Sequence, residues 1–100
     1  NRSTPRSYEC LDLNQFRSKE AKRKTKITFF VGQTDNSFKI YWLDYNGSKK
    51  AYTSLESGTN WTAETYISHP WVVYRVSANG SESCHSIVKG KKSSSQWLLR

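Results

Sequence analysis

The apolar residues of this chain recur at every second position rather than at helical spacing. Across residues 38–45, Phe38, Ile40, Trp42 and Asp44 fall on one side and Lys39, Tyr41, Leu43 and Tyr45 on the other, as in a strand with two unlike faces. Ile27-Thr28-Phe29-Phe30-Val31 is a strand by its β-branched and aromatic content. Further strands are expected at 50–55, 63–67, 71–76 and 84–88, with an edge strand at 96–99. Between them lie turn signals: the polar stretch 32–37, Asn46-Gly47, the loop around Gly58, Ser68-His69-Pro70 and Ala78-Asn79-Gly80-Ser81. Residues 90–95 read as a flexible connection. Short strands with regular turns predict an all-β fold, a small antiparallel β-sandwich of about seven strands.

Residues 1–26 break this pattern and read as a basic N-terminal arm, with the sandwich domain at 27–100. Tyr8, Leu11, Leu13 and Phe16 are its candidate anchors. The good helix formers between residues 13 and 24 suggest a short helix there.

At 100 residues the chain is one domain. Its hydrophobic content is 35%, and aromatics make up 14% of the chain, so the core must be small and rich in rings. The net charge of +8 favours polyanionic partners. Much of it is local: Arg17, Lys19, Lys22, Arg23, Lys24 and Lys26 stand against Glu20 alone, and Lys89, Lys91 and Lys92 form a looser group. The first run is a candidate site for an anionic glycan, although a solvated basic segment would look the same. Nucleic acid is disfavoured, because the basic run precedes the aromatic region instead of interleaving with it. No apolar run is long enough to span a bilayer, so no membrane span is expected. The chain begins on Asn1 rather than Met and reads as a piece of something longer.

Cys10 and Cys84 are the only cysteines, and their spacing matches no zinc motif. They form either one disulfide or two buried thiols; a disulfide closing so long a loop would contribute roughly 4 kcal/mol. Asn46, Asn60 and Asn79 each open an N-x-Ser/Thr sequon, the acceptor pattern for N-glycosylation. Sequons and a possible disulfide together point to a secreted or extracellular setting, against a cytoplasmic or nuclear alternative. Asn-Gly is also a common turn dipeptide, which explains two of the sequons without any sugar.

Catalytic signatures are lacking. There is no G-x-S-x-G elbow and no Gly-rich phosphate loop, and Asp12, Asp35, Asp44, Glu56 and Glu64 are scattered without metal-ligand spacing. The reading is a non-enzymatic protein without a cofactor or metal.

Aromatic and polar residues instead gather in three runs: Tyr41-Trp42-Leu43-Asp44-Tyr45, Tyr52-Thr53-Ser54-Leu55 and Thr65-Tyr66-Ile67-Ser68-His69-Pro70-Trp71. Flat apolar walls with a few directed polar groups are how small ligand pockets are built. Trp42 and Trp71 can form floor and wall for an aliphatic ring. His69 and Thr65 can bond a hydroxyl, and the Tyr52 hydroxyl a backbone carbonyl. Such a pocket suits a hydroxylated proline, and aromatic grooves commonly take proline-rich peptides.

These runs, with Asn46-Gly47 and Ser57-Gly58-Thr59 between them, resemble the β domain of the von Hippel-Lindau tumour suppressor family in residue type, order and interval. The resemblance implies a β-sandwich that recognises 4-hydroxyproline in an extended peptide. It implies that Trp42, Tyr52, His69 and Trp71 are pocket residues of the family's own types. Thr65 stands where the family has Ser, which keeps the hydroxyl, and Tyr66 matches a Tyr beside the pocket. It further implies that His69 and Thr65 bond the ligand hydroxyl while Trp42 and Trp71 enclose the ring. The family's adaptor-recruiting helical domain has no counterpart here. Sequons and cysteines suit an intracellular degradation factor poorly, so the expected ligand is a hydroxylated extracellular chain, collagen-like for example. Two other readings compete: a structural or glycosaminoglycan-binding module with a non-functional pocket, and the substrate-recognition domain of a ubiquitin ligase.

Overall fold

A computed structural model describes residues 4–100 and arranges them as eight strands in two sheets. In chain order these are β1 (Arg6–Tyr8), a 3-10 turn (Cys10–Gln15), β2 (Lys24–Val31), β3 (Ser37–Leu43), β4 (Lys49–Leu55), β5 (Asn60–Tyr66), β6 (Pro70–Val76), β7 (Glu82–Lys89) and β8 (Ser95–Leu99). One sheet has the order β1-β7-β6-β3-β4, the other β5-β2-β8. The expected all-β sandwich is present. All pairings are antiparallel except β8, which runs parallel to β2.

Between the sheets lies the main core: Ile27, Phe29 and Val31 of β2, Ala63 of β5 and Leu99 of β8 meet Phe38, Ile40, Leu55, Trp71, Val73 and Val88 of the larger sheet. The alternation of β3 is realised, since Phe38 and Ile40 enter this core while Leu43 and Tyr41 belong to a second cluster. Asp44 departs from it. Its carboxylate accepts the backbone N–H groups of Asn46 and Ser48, each at 2.9 Å, and so organises the turn. Gly47, at φ 83°, supplies the left-handed residue that this turn needs.

The second cluster sits on the outer face of the larger sheet. Leu43, Val72 and Ile87 are covered by Cys10, Leu13 and Phe16 of the arm, beside Tyr41, Tyr74 and Cys84. Cys10 and Cys84 are joined as a disulfide across 74 residues of sequence. Chain-entropy arguments give such a link roughly 4 kcal/mol, and it holds the arm on β7. β6 is thereby buried on both faces, which explains why Pro70-Trp71-Val72-Val73 is continuously apolar rather than alternating.

The arm forms no α-helix over residues 13–24. Among its described residues the one helical element is the 3-10 turn, which ends at Gln15, and residues 16–23 run without regular structure until β2 begins at Lys24. Two effects override helix propensity. Ser18 is tied to the sheet by its N–H to the Asp44 carbonyl (3.0 Å) and its hydroxyl to the Leu43 carbonyl. The dense basic run would also stack like charges along a helix. Of the expected anchors, Leu13 and Phe16 pack down and Tyr8 lies against Phe16 with ring centres 5.0 Å apart. Leu11 does not anchor; it is 86% exposed, on the solvent side of the turn.

Two further details differ from expectation. Asn60 opens β5 rather than lying in a turn. The connection from β7 to β8 is tight at its start: Gly90 is buried, and a Cβ there would stand 2.4 Å from Cγ2 of Thr25, so any larger residue must displace that side chain, whereas residues 92–94 are exposed.

Candidate functional site

The aromatic runs meet where β3, β4, β5 and β6 converge. Trp42 and Trp71 are direct cross-strand partners, so both rings leave the same face of the larger sheet. Tyr52 joins them through a register shift. Ile40 pairs with Thr53 and Tyr41 with Ala51, so Tyr52 is the extra residue of a β-bulge. Its ring turns onto Trp71, at 4.9 Å between centres, and toward Trp61, at 6.1 Å. Trp61 in turn meets Trp71 at 5.8 Å.

Thr65 faces inward from β5 and is buried. Its hydroxyl accepts the indole N–H of Trp71 at 2.9 Å, which fixes that ring. The bond uses an acceptor site of Thr65 and leaves its own proton available. After β5, a tight turn closed by the His69 N–H and the Tyr66 carbonyl (3.0 Å) brings His69 inward. The His69 ring lies 5.7 Å from Trp42, 5.2 Å from Tyr66 and 5.6 Å from Tyr45.

His69 has a defined chemistry. Its Nε2 lies 3.1 Å from the carbonyl oxygen of Lys19, which can only accept, so Nε2 carries the proton. Burial lowers the pKa of the ring, with the Lys19 bond opposing. The neutral imidazole is therefore favoured, and in that form Nδ1 is an acceptor. The same carbonyl accepts the Ser68 hydroxyl at 3.0 Å. The arm thus supports the site from behind.

All six residues singled out from sequence, Trp42, Tyr52, Thr65, Tyr66, His69 and Trp71, fall within this one connected cluster. Two more belong to it. Trp61 shares the inward face of β5 with Ala63 and Thr65, an alternation legible in the sequence. Tyr45 is edge-on to both Trp42 and His69 and is 52% exposed, so it covers them from the solvent side. Thr65, His69 and Trp71 are themselves only 3–6% exposed. A cavity of about 520 Å³ opens beside Thr65 and Tyr66, bounded by Lys24, Lys26, Glu64 and Lys92.

The remaining candidates are dispersed. Arg17, Lys19, Lys22, Arg23, Lys24 and Lys26 are all exposed. Asn46, Asn60 and Asn79 are exposed too, and the side-chain Oδ1 of Asn79 accepts the Ser81 N–H at 3.0 Å, shaping its own turn. His85 lies edge-on to Phe38 and bonds Ser86 at 2.9 Å, and Trp97 donates to the same Ser86 hydroxyl; both are structural.

The family description of the VHL beta domain matches residues 16–87, well over half of the chain. No curated protein sequence matches it.

Proposed function

The chain belongs to the VHL beta-domain family, whose β domains are substrate-recognition modules, and on that premise we propose that it binds an extended peptide by enclosing a hydroxyproline. The observation that carries this reading is that two buried polar groups, His69 and Thr65, sit within one aromatic cluster, each with hydrogen-bonding capacity left over. Neutral His69 offers an acceptor at Nδ1, and Thr65 offers a hydroxyl proton. A ligand hydroxyl is both donor and acceptor, so it satisfies the two at once. An unmodified proline would leave both buried and unpaired, at a cost of about 1–3 kcal/mol.

In this reading Trp42 and Trp71 flank the imino-acid ring, and Tyr66 packs behind His69. The ligand ring takes the place that Tyr45 fills, and Tyr45, in an exposed turn, swings aside. The hydroxyl of Tyr52 reaches the peptide backbone. β4 ends the order of its sheet, so an extended peptide can lie along that edge. The protein acts by binding rather than by catalysis.

We place this function in an extracellular setting, on the strength of the disulfide and the three exposed sequon asparagines. The ligand class is then a hydroxylated chain, collagen-like in kind, with an anionic glycan accommodated by the basic arm. The family itself favours a second reading, the substrate-recognition domain of an intracellular ubiquitin ligase. Mapping glycan occupancy and cysteine oxidation on the cellular protein separates the two.

The experiment for the binding claim is calorimetric titration with matched peptides that differ only in proline or hydroxyproline. The expected result is tighter binding of the hydroxylated peptide, roughly tenfold or more. Equal affinities would overturn the role given to His69 and Thr65.

A further inference from the structure

The exposed cations of the arm lie beside one that is not fully exposed. Lys89, on the outer face of β7, is partly buried beneath the arm. Its ammonium lies 5.2 Å from the ring centre of Phe16 and 5.6 Å from that of Tyr8. Arg6 pairs with it directly in the β1–β7 register. Beside it opens a cavity of about 400 Å³ lined by Gln15, Phe16, Arg17, Lys19 and Lys89. The ion pairs among the described residues are Lys39–Glu82 and Lys50–Asp44, so Glu9 and Glu20, though near in sequence, neutralise none of these cations. Burial lowers the pKa of Lys89, and the charges of Lys19 and Arg6 lower it further.

The surrounding backbone is fixed. Ser18 is bonded to residues 43 and 44, Lys19 accepts from Ser68 and His69, and Cys10 is tied to Cys84. The fold therefore holds Lys89 close to Arg6 and Lys19 at this recess, where the rings of Phe16 and Tyr8 offset part of the repulsion and no ion pair among the described residues adds to them. An oxyanion would relieve the rest, with the Gln15 amide as an additional donor.

We propose that the recess lined by Gln15, Arg17, Lys19 and Lys89, with Arg6 at its side, is a binding site for a sulfate or phosphate group. Its position at the start of the exposed run Lys22, Arg23, Lys24 and Lys26 makes it the anchor for one such group of a longer anionic glycan. It touches the aromatic cluster only through Lys19, whose backbone carbonyl bonds His69 and Ser68 while its side chain lines the recess, and it does not depend on the peptide-binding function.

The test is calorimetric and NMR titration of the intact chain with sodium sulfate, against sodium chloride at matched ionic strength. Saturable one-to-one binding with chemical-shift changes at Lys89 is expected. Lys89→Gln and Arg17→Gln should each weaken sulfate binding roughly tenfold, as expected for a charge-assisted contact, while Lys50→Gln on β4 leaves it unchanged. Lys89→Met keeps the packing against Phe16 and Tyr8 and serves if Lys89→Gln does not fold. A heparin-derived oligosaccharide distinguishes the sources. Tighter binding than sulfate, weakened by Lys24→Gln and Lys26→Gln, identifies a glycan; binding no tighter than sulfate identifies the free anion. A titration indistinguishable from chloride, or variants at Lys89 and Arg17 that match Lys50→Gln, would overturn the proposal.

Discussion

The two faces of β6 are buried by different means. Trp71 and Val73 look inward and are covered by a second sheet, where large side chains from β2, β5 and β8 supply the contacts. Val72, between them, looks outward and is covered by an irregular arm, with only Leu43 and Ile87 as fully buried companions. The inner face is held by packing. The outer face has too little apolar surface for that and is closed by a disulfide. A domain of this size gains little margin from its core, so a covalent link on its weaker side has a clear physical rationale. The difference also has a functional side. Packing fixes the tryptophans of the candidate site, whereas the arm supplies the Lys19 carbonyl that sets the state of His69.

The largest expected effect comes from the inner face. Phe29 is fully buried, and Phe29→Ala should cost about 3–5 kcal/mol in urea denaturation. Replacing Cys10 and Cys84 together by Ser should cost roughly 4 kcal/mol. The tryptophan environment of the inner face should be retained in near-ultraviolet dichroism. A loss of that signal in the folded double variant would mean that the two faces are not held independently.

A smaller effect is expected at Thr65. Thr65→Val removes the acceptor of the buried Trp71 N–H and should cost about 1–3 kcal/mol in stability. It should also abolish discrimination between hydroxyproline and proline. Thr65→Ser, which keeps the hydroxyl, should retain most of both.

The smallest effect is a pH dependence. Burial depresses the pKa of His69 below its ordinary 6.5, so its neutral form is favoured in the folded chain. The associated stability, and the acceptor at Nδ1, are fully present above pH 6.5 and are lost as the pH falls through the folded pKa. His85 is lowered as well, first by burial and then by Arg75, so acid unfolding reports on both histidines. Hydroxyproline selectivity isolates His69, and it should decline below pH 6.5 in peptide titrations. A flat profile would separate His69 from the ligand hydroxyl.

Much of this architecture was legible in the chain. The period of two in β3 and the turn dipeptides set most strand positions, because one face of each strand had to be apolar. The six aromatic and polar residues that converge in the candidate cluster could be picked out by type and interval. What escaped depended on long-range geometry. The aim of Tyr52 follows from a bulge, and a bulge is a property of strand pairing rather than of local sequence. The parallel docking of β8 and the covering of Val72 by the arm likewise follow from topology. The expected helix failed because bonds from Ser18 to residues 43 and 44 outweigh propensity. Tyr45 was passed over because an exposed turn tyrosine carries no sign that it shields a histidine.

A double-mutant cycle tests the central claim most directly: hydroxyproline against proline in the peptide, crossed with His69→Ala in the protein, with affinities measured by calorimetry. The account predicts a coupling of about 1–3 kcal/mol between the ligand hydroxyl and His69. A coupling of zero, with both proteins binding both peptides alike, would contradict it.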